Sequence, residues 1–354
     1  MIPSSSPSRT HGALFGLAAA LLFGMSAPAA KALLPQSSPL ALASLLYLGA
    51  AAALVLAKTL RPGSREKESG LSRSDVPSLL GVILSGGMLG PVLMLVGLER
   101  VSALSGSLLL NLEAPLTILI AVSIFGEHLG RREALAVAAI SAGGLVLTEE
   151  AGVLSGSALG VAALVGACLC WAFDNNLTQR LSLRDPLSVV QVKTIGAGLG
   201  NLALAVVLGA PLPTVGVAIL ALVLGSLSYG LSIVLDTYAL RLVGAAREAA
   251  YFATAPFFGA LLAVAFLGEN LRPHHLVAAS LMGFGVWMLL REKHEHLHAH
   301  EGLEHEHLHV HDEHHGHEHT DGQGSSEPHA HAHSHEGLRH AHPHVSDAHH
   351  RHRH

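Results

Sequence analysis

Six residues able to do chemistry lie inside long apolar stretches: Asn111, Glu113, Asp174, Asn175, Lys193 and Asp236. An ionisable group costs roughly a few kcal/mol in hydrocarbon, so each is expected to pair with another group or to bind something. Carboxylate and amide oxygens suit hard or borderline cations. Glu113, Asn111, Asp174 and Asn175 could together make a polar site within the apolar region. A carboxylate there could exchange a proton for a cation. Against this stands a structural alternative. Lys193, beside Gln191, could neutralise Asp174 or Glu113 in an ion pair, and Asp236 could reach an interface and pair with Arg241 or Arg247. Glu248 reads as interfacial, and Trp171 and Tyr251 as packing residues or interface anchors.

A second chemical feature is a tail. Residues 291–354 contain 23 histidines, many in alternation: His294, His296, His298, His300; His305, His307, His309, His311; His329, His331, His333, His335. Acids interleave them, among them Glu295, Glu301, Glu304 and Glu306. The segment is too polar to build a core and reads as disordered without metal. Neutral imidazole suits nickel, cobalt, zinc and copper. Many flexible imidazoles give high capacity and little selectivity, with binding near pH 7 and release toward pH 5. No other cofactor is called for.

The elements that must position the six residues are ten apolar stretches, at 12–30, 40–57, 76–98, 102–124, 133–148, 157–178, 186–209, 214–237, 246–267 and 274–290. Most approach the roughly 20 residues a membrane helix needs; the fifth and last are short. Half of the 354 residues are hydrophobic and only 13% charged, which fits a polytopic membrane protein. The stretches do not alternate apolar and polar residues as barrel strands would. The fold class is thus all-α and integral to the membrane, with lipid as its first partner. Cys168 and Cys170 sit two apart on one span and read as packing residues, a soft-metal CxC site being the minor alternative. His11, His128, His274 and His275 lie near span ends, where solvation explains them. No nucleophile motif, phosphate-cradling loop, dinucleotide fingerprint or nucleic-acid surface is present, so nothing points to an enzyme. A homodimer is compatible with the pattern.

Lys and Arg set the orientation. With the N-terminus (1–11) cytoplasmic, the inside segments hold Arg9, Lys58, Arg61, Arg65, Lys67, Arg73, Arg131, Arg132, Arg180, Arg184, Arg241, Arg247, Arg291 and Lys293. The outside ones hold Lys31, Arg100 and Arg272, which makes 14 against 3. Ten crossings return the tail to the cytoplasm. The expected location is a bacterial cytoplasmic membrane.

The second half repeats the first at an offset of about 141 to 149 residues. Leu98 to Val101 and Leu240 to Val243 each precede a span with a central proline, Pro115 or Pro256. Those spans end in Gly126-Glu127 and Gly268-Glu269, and Leu22 to Lys31 parallels Trp171 to Arg180. Two copies of a five-helix unit must enter the membrane from opposite sides. Such inverted repeats build alternating-access carriers with a midplane site between the halves. The duplicated unit, its prolines and its Gly-Glu pairs resemble the drug/metabolite transporter superfamily, EamA type, over residues 12–290. The resemblance implies repeats at 12–148 and 157–290 and transport of a small solute, commonly outward, driven by an ion gradient or exchange. The His-rich tail at 291–354 resembles that of nickel and cobalt resistance members. Three expectations follow: an exporter of nickel or cobalt with a metal-collecting tail, an exporter of an organic metabolite or amino acid whose tail buffers or senses metal, or a membrane-anchored metal store or sensor that signals through a partner. Glu113 departs from the repeat, since the second half has Thr254 there.

Overall fold

The computed structural model describes residues 7–59, 70–125, 129–149, 156–181, 184–243 and 245–290. It also describes four short stretches of the tail, 294–299, 304–309, 329–334 and 339–344. Ten helical passes follow one another. We label them α1 (Thr10–Gln36), α2 (Pro39–Thr59), α3 (Arg73–Leu98), α4 (Ala103–Ile124), α5 (Arg131–Glu149), α6 (Ser157–Thr178), α7 (Pro186–Val207), α8 (Val215–Leu240), α9 (Arg247–Leu267) and α10 (Pro273–Leu290). Nine of these are long and apolar enough to cross a membrane. The tenth, α5, carries Arg131, Arg132, Glu133 and Glu149 at its ends, which shortens its apolar middle. Helix is the expected answer, because in hydrocarbon every backbone group must be satisfied within its own segment. Large apolar side chains such as Val207, Val215 and Phe266 point outward, as on a surface solvated by lipid.

Local chemistry sets the ends. Pro186 opens α7 behind Asp185, whose carboxylate accepts the Leu187 N–H at 3.1 Å. Gly268 closes α9 in the left-handed region (φ 66°), as a helix C-cap requires. The first pass outruns the expected 12–30 and ends in a 3₁₀ turn, Leu34–Gln36, that accommodates Pro35.

The two halves are related by reciprocal contacts. In the α5–α10 crossing, Gly143 lies against Met282 and the Ala278 carbonyl, while Gly285 lies against Ile140 and the Ala136 carbonyl. Each residue of one set is 142 positions from its counterpart in the other. No side chain fits at either glycine, so the helix backbones approach closely. The third helix of each half carries a π-helical segment, Ile83–Leu89 in α3 and Ser226–Leu231 in α8. The fourth helix of each half is interrupted just before its proline. In α4 the break is a 3₁₀ turn, Leu110–Leu112; in the second half it lies between the helices Ala245–Phe252 and Ala255–Leu267. Missing proline N–H groups and π-bulges are the recognised causes of such breaks.

Within the tail, β1 (His294–Ala299) pairs antiparallel with β4 (Arg339–His344), and β2 (Glu304–His309) with β3 (His329–Ser334). An isolated two-stranded ribbon is marginal in water, so these pairings add no core. His300, His311 and His335 lie outside the described residues.

Candidate functional site

The interrupted fourth helix brings Glu113 to the start of the second segment of α4, Glu113–Phe125, two residues before Pro115. Its Oε1 accepts a hydrogen bond from Asn175 Nδ2 of α6 at 2.7 Å, and Asn175 Nδ2 is 3.5 Å from the Thr117 hydroxyl. Asn176 anchors the same two helices by donating to the Thr117 carbonyl at 3.1 Å and to the Ala172 carbonyl at 2.8 Å. Asn175 is exposed, although Leu164, Cys168 and Trp171, earlier on the same face of α6, are buried. This face of α6 therefore becomes exposed at Asn175, toward the end of the bundle that carries the chain termini.

The structure pairs Asp174 with Lys193 of α7, and Asp174 is only 3% exposed. The expected alternative, a structural ion pair, is what this carboxylate forms. Thr178 adds a hydroxyl at 3.4 Å. The carboxylate lies flat on Gly86 of α3, where a Cβ would collide with it. Glycine is needed there for that approach. The π-helical segment alters the usual hydrogen-bond ladder at this point, and the Gly86 carbonyl accepts from both the Tyr47 hydroxyl and the Trp171 indole N–H, each at 3.0 Å. Thus α2, α3 and α6 meet at one backbone oxygen, and the Asp174–Lys193 pair, which adds α7, sits beside it as a fixed wall.

The remaining expected site residues fall elsewhere. Asn111 is buried and donates to the Leu108 carbonyl at 3.0 Å, with Met282 Sδ at 3.8 Å, so it faces α10 rather than Glu113. Asp236 sits apart on α8, with the Glu248 carboxyl as hydrogen-bond neighbour. Cys168 is buried against the Leu109 carbonyl at 3.7 Å, and Cys170 is half-buried, as packing residues would be. Among the described residues no group of three or more His, Cys, Asp or Glu converges on one point. Sequence reasoning did not find Tyr47, Thr117, Asn176 or the role of Gly86. Gly86 and Gly90, four apart in the sequence, carry only the signature of close helix packing, and a π-segment leaves no sequence signature.

At the terminal end, Lys58 of α2 pairs with Asp185 at 3.5 Å, and Arg184 pairs with Asp75 of α3 at 2.8 Å. Burial alone would raise the Asp185 carboxyl. The Ser188 hydroxyl, the Lys58 ammonium and the Leu187 N–H together hold it below its ordinary value of 3.8. These ties join α2, α3 and α7 on the side of the wall. Across the bundle, the first segment of α9, Ala245–Phe252, packs on α1 and α8, whereas the second segment of α4 packs on α5 and α6. The fourth helices of the two halves therefore part at the terminal end. At the opposite end they meet, where Gly259 of α9 lies against Ser107 of α4 and Gly24 of α1.

Comparison with known proteins gives three findings. The model of the EamA-like transporter family matches twice, over residues 10–148 and 158–291. An uncharacterized transporter of Methanothermobacter thermautotrophicus is 29% identical over 299 residues, covering 79% of this chain and 86% of its own. A crystal structure of a protein superposes with a TM-score of 0.57 at 20% identity, over 79% of this chain and 97% of that one, a likeness of fold.

Proposed function

Because the chain belongs to the EamA-like transporter family, a family of multi-pass membrane transporters, we propose that it is a secondary exporter whose cargo carries positive charge and binds at Glu113. The observation that supports this is the division of labour between two carboxylates. Asp174 is neutralised by Lys193, while Glu113 is held only by the amide of Asn175, at the place where the face of α6 bearing Asn175 becomes exposed. A half-buried carboxylate with a neutral partner attracts a cation or a proton. Competition between the two for Glu113 would couple outward movement of cargo to inward movement of protons. The lysine and arginine excess of 14 to 3 favours a cytoplasmic side for the exposed end, from which an exporter would load.

Two cargo classes follow. One carboxylate, an amide oxygen and the Thr117 hydroxyl can satisfy an ammonium group, and no convergent set of three metal-binding side chains occurs among the described residues. The geometry therefore fits best an organic metabolite or amino acid bearing an amine. The tail favours the other class, divalent nickel or cobalt, with zinc as a further ligand of the tail. In its paired strands histidines are Cα partners throughout, His294 with His344, His296 with His342, His298 with His340, His305 with His333, His307 with His331 and His309 with His329. Under the first class the tail buffers or senses metal; under the second it collects cargo.

A deletion strain complemented with the full chain, or with a chain ending at residue 291, separates them. For a metal cargo, loss of the gene sensitises cells to nickel or cobalt, and inverted vesicles with a proton gradient accumulate the metal unless Glu113→Gln is present. For an amine cargo, metal sensitivity does not change, vesicles accumulate the amine, and tail removal leaves that uptake intact. Uptake of neither cargo above the Glu113→Gln background would end the proposal.

A further inference from the structure

The turn between α3 and α4, at the end of the bundle opposite the termini, is gripped from both sides. Lys31, near the end of α1, donates to the carbonyls of Leu98 and Val101, each at 2.5 Å. These are carbonyls at the close of α3, where the helix leaves acceptors unpaired. Glu269, in the turn between α9 and α10, accepts the Ala103 N–H at 2.7 Å with one carboxylate oxygen and the Leu104 N–H at 2.6 Å with the other. These are the first donors of α4. A cation thus sits on the carbonyl end of one helix and an anion on the amide end of the next, each the sign that the local backbone dipoles favour. Gly268 makes this reach possible. Its left-handed backbone closes α9 and turns the chain so that Glu269 can reach α4.

Beneath this grip the wall is tight. Gly259, Ser107 and Gly24 leave no room for a side chain at either glycine, and Ser107 is buried with an unpartnered hydroxyl. This close packing ties α1, α4 and α9 together at the distal end.

We propose that Lys31 and Glu269 form a latch that holds the distal end shut and opens once per transport cycle, a device that rests on the alternating-access reading above. Neither side chain is needed to build its own helix; each spends its hydrogen bonds on the α3–α4 turn. Releasing the latch costs four charge-assisted hydrogen bonds, which water replaces when the turn moves away. The interaction therefore biases a two-state equilibrium rather than fixing it. The sequence repeats the same two charges in register in the other half, at Arg180 and Glu127, 149 and 142 residues away.

The test uses the full chain with Cys168 and Cys170 replaced by serine and Ser107→Cys as reporter, in sealed vesicles whose orientation is read from protease access to the tail. A membrane-impermeant maleimide is applied from the distal face without any cargo. With the latch intact, Ser107→Cys labels slowly. Glu269→Gln, and independently Lys31→Met, each raise the labelling rate on the order of tenfold, because the closed state loses charge-assisted bonds that the open state lacks. Unchanged labelling in both variants, when both elute as monodisperse protein, overturns the latch. Loss of folded protein in both variants overturns it too, since contacts released in every cycle cannot be what holds the fold together. Faster labelling in a protein that moves no solute leaves the latch standing and sinks the transport reading instead.

Discussion

Lys193→Met is the perturbation that best separates the wall of the site from its binding group. The substitution keeps the length of the side chain but leaves Asp174, 3% exposed and pressed on Gly86, without its cation. Breaking a buried ion pair by removing one partner costs roughly 3–5 kcal/mol, because the other charge stays buried and uncompensated. That corresponds to a loss of roughly 10²–10³-fold or more in the folding equilibrium. The double variant Asp174→Asn, Lys193→Met removes both charges, and replacing a buried pair by neutral groups of similar volume is often close to neutral. Its stability should return to within roughly 1–2 kcal/mol of the parent, since the Asn amide can still reach Thr178. The assay is thermal unfolding in detergent, followed by monodisperse elution, with the four proteins of the cycle measured side by side. Transport supplies the second readout. The double variant should keep transport activity that Glu113→Gln abolishes. If the single Lys193→Met variant is as stable as the parent, the pair is not buried as described. If the double variant is stable but inactive while Glu113→Gln transports, cargo binds at Asp174 and the assignment of the two carboxylates is reversed.

Three further outcomes are expected. Glu113→Gln should weaken equilibrium binding of a cationic cargo to the detergent-solubilised protein at least roughly tenfold, the worth of a charge-assisted contact, with no loss of thermal stability; unchanged binding would dissociate Glu113 from cargo. Gly285→Val should destabilise the α5–α10 crossing by about 1–3 kcal/mol through overpacking against Ile140 and the Ala136 carbonyl, and Gly143→Val should match it if the repeat is symmetric. Asp185→Asn should cost about 1 kcal/mol at neutral pH, because the helix cap and the Lys58 contact both weaken. Since the folded-state carboxyl lies below 3.8, this contribution is present above that value and lost as pH falls further, so parent and variant should converge only in strong acid; a gap that persists unchanged there would contradict the cap.

The tail offers an independent check of its chemistry. A peptide of residues 291–354 should bind several nickel or zinc ions near pH 7 and release them toward pH 5, as imidazoles protonate. Less than one ion bound at neutral pH, measured by titration, would remove metal from any account of the tail.

The sequence determined the number and order of the membrane passes, because hydrocarbon admits helices of a limited length and little else. It also determined the duplication, since the prolines, the Gly-Glu pairs and their offset are properties of the chain in one dimension. It named Glu113, Asp174, Asn175 and Lys193 as groups that had to find partners, on the energetic ground that charge in lipid is costly. Which partner each found was decided only in three dimensions. Asp174 could take Lys193 because a π-helical segment and a glycine in α3 let the carboxylate settle against the backbone. Glu113 was left to Asn175 because α4 breaks just before it and turns its side chain toward α6. Asn111, two residues earlier, went to the other side of that break. Neither a π-segment nor a 3₁₀ turn has a residue pattern of its own; both arise where neighbouring helices supply the hydrogen bonds that the broken ladder gives up. The same holds for Glu269, a residue outside its span in sequence, whose carboxylate caps a helix 165 residues away because the fold brings the two turns together.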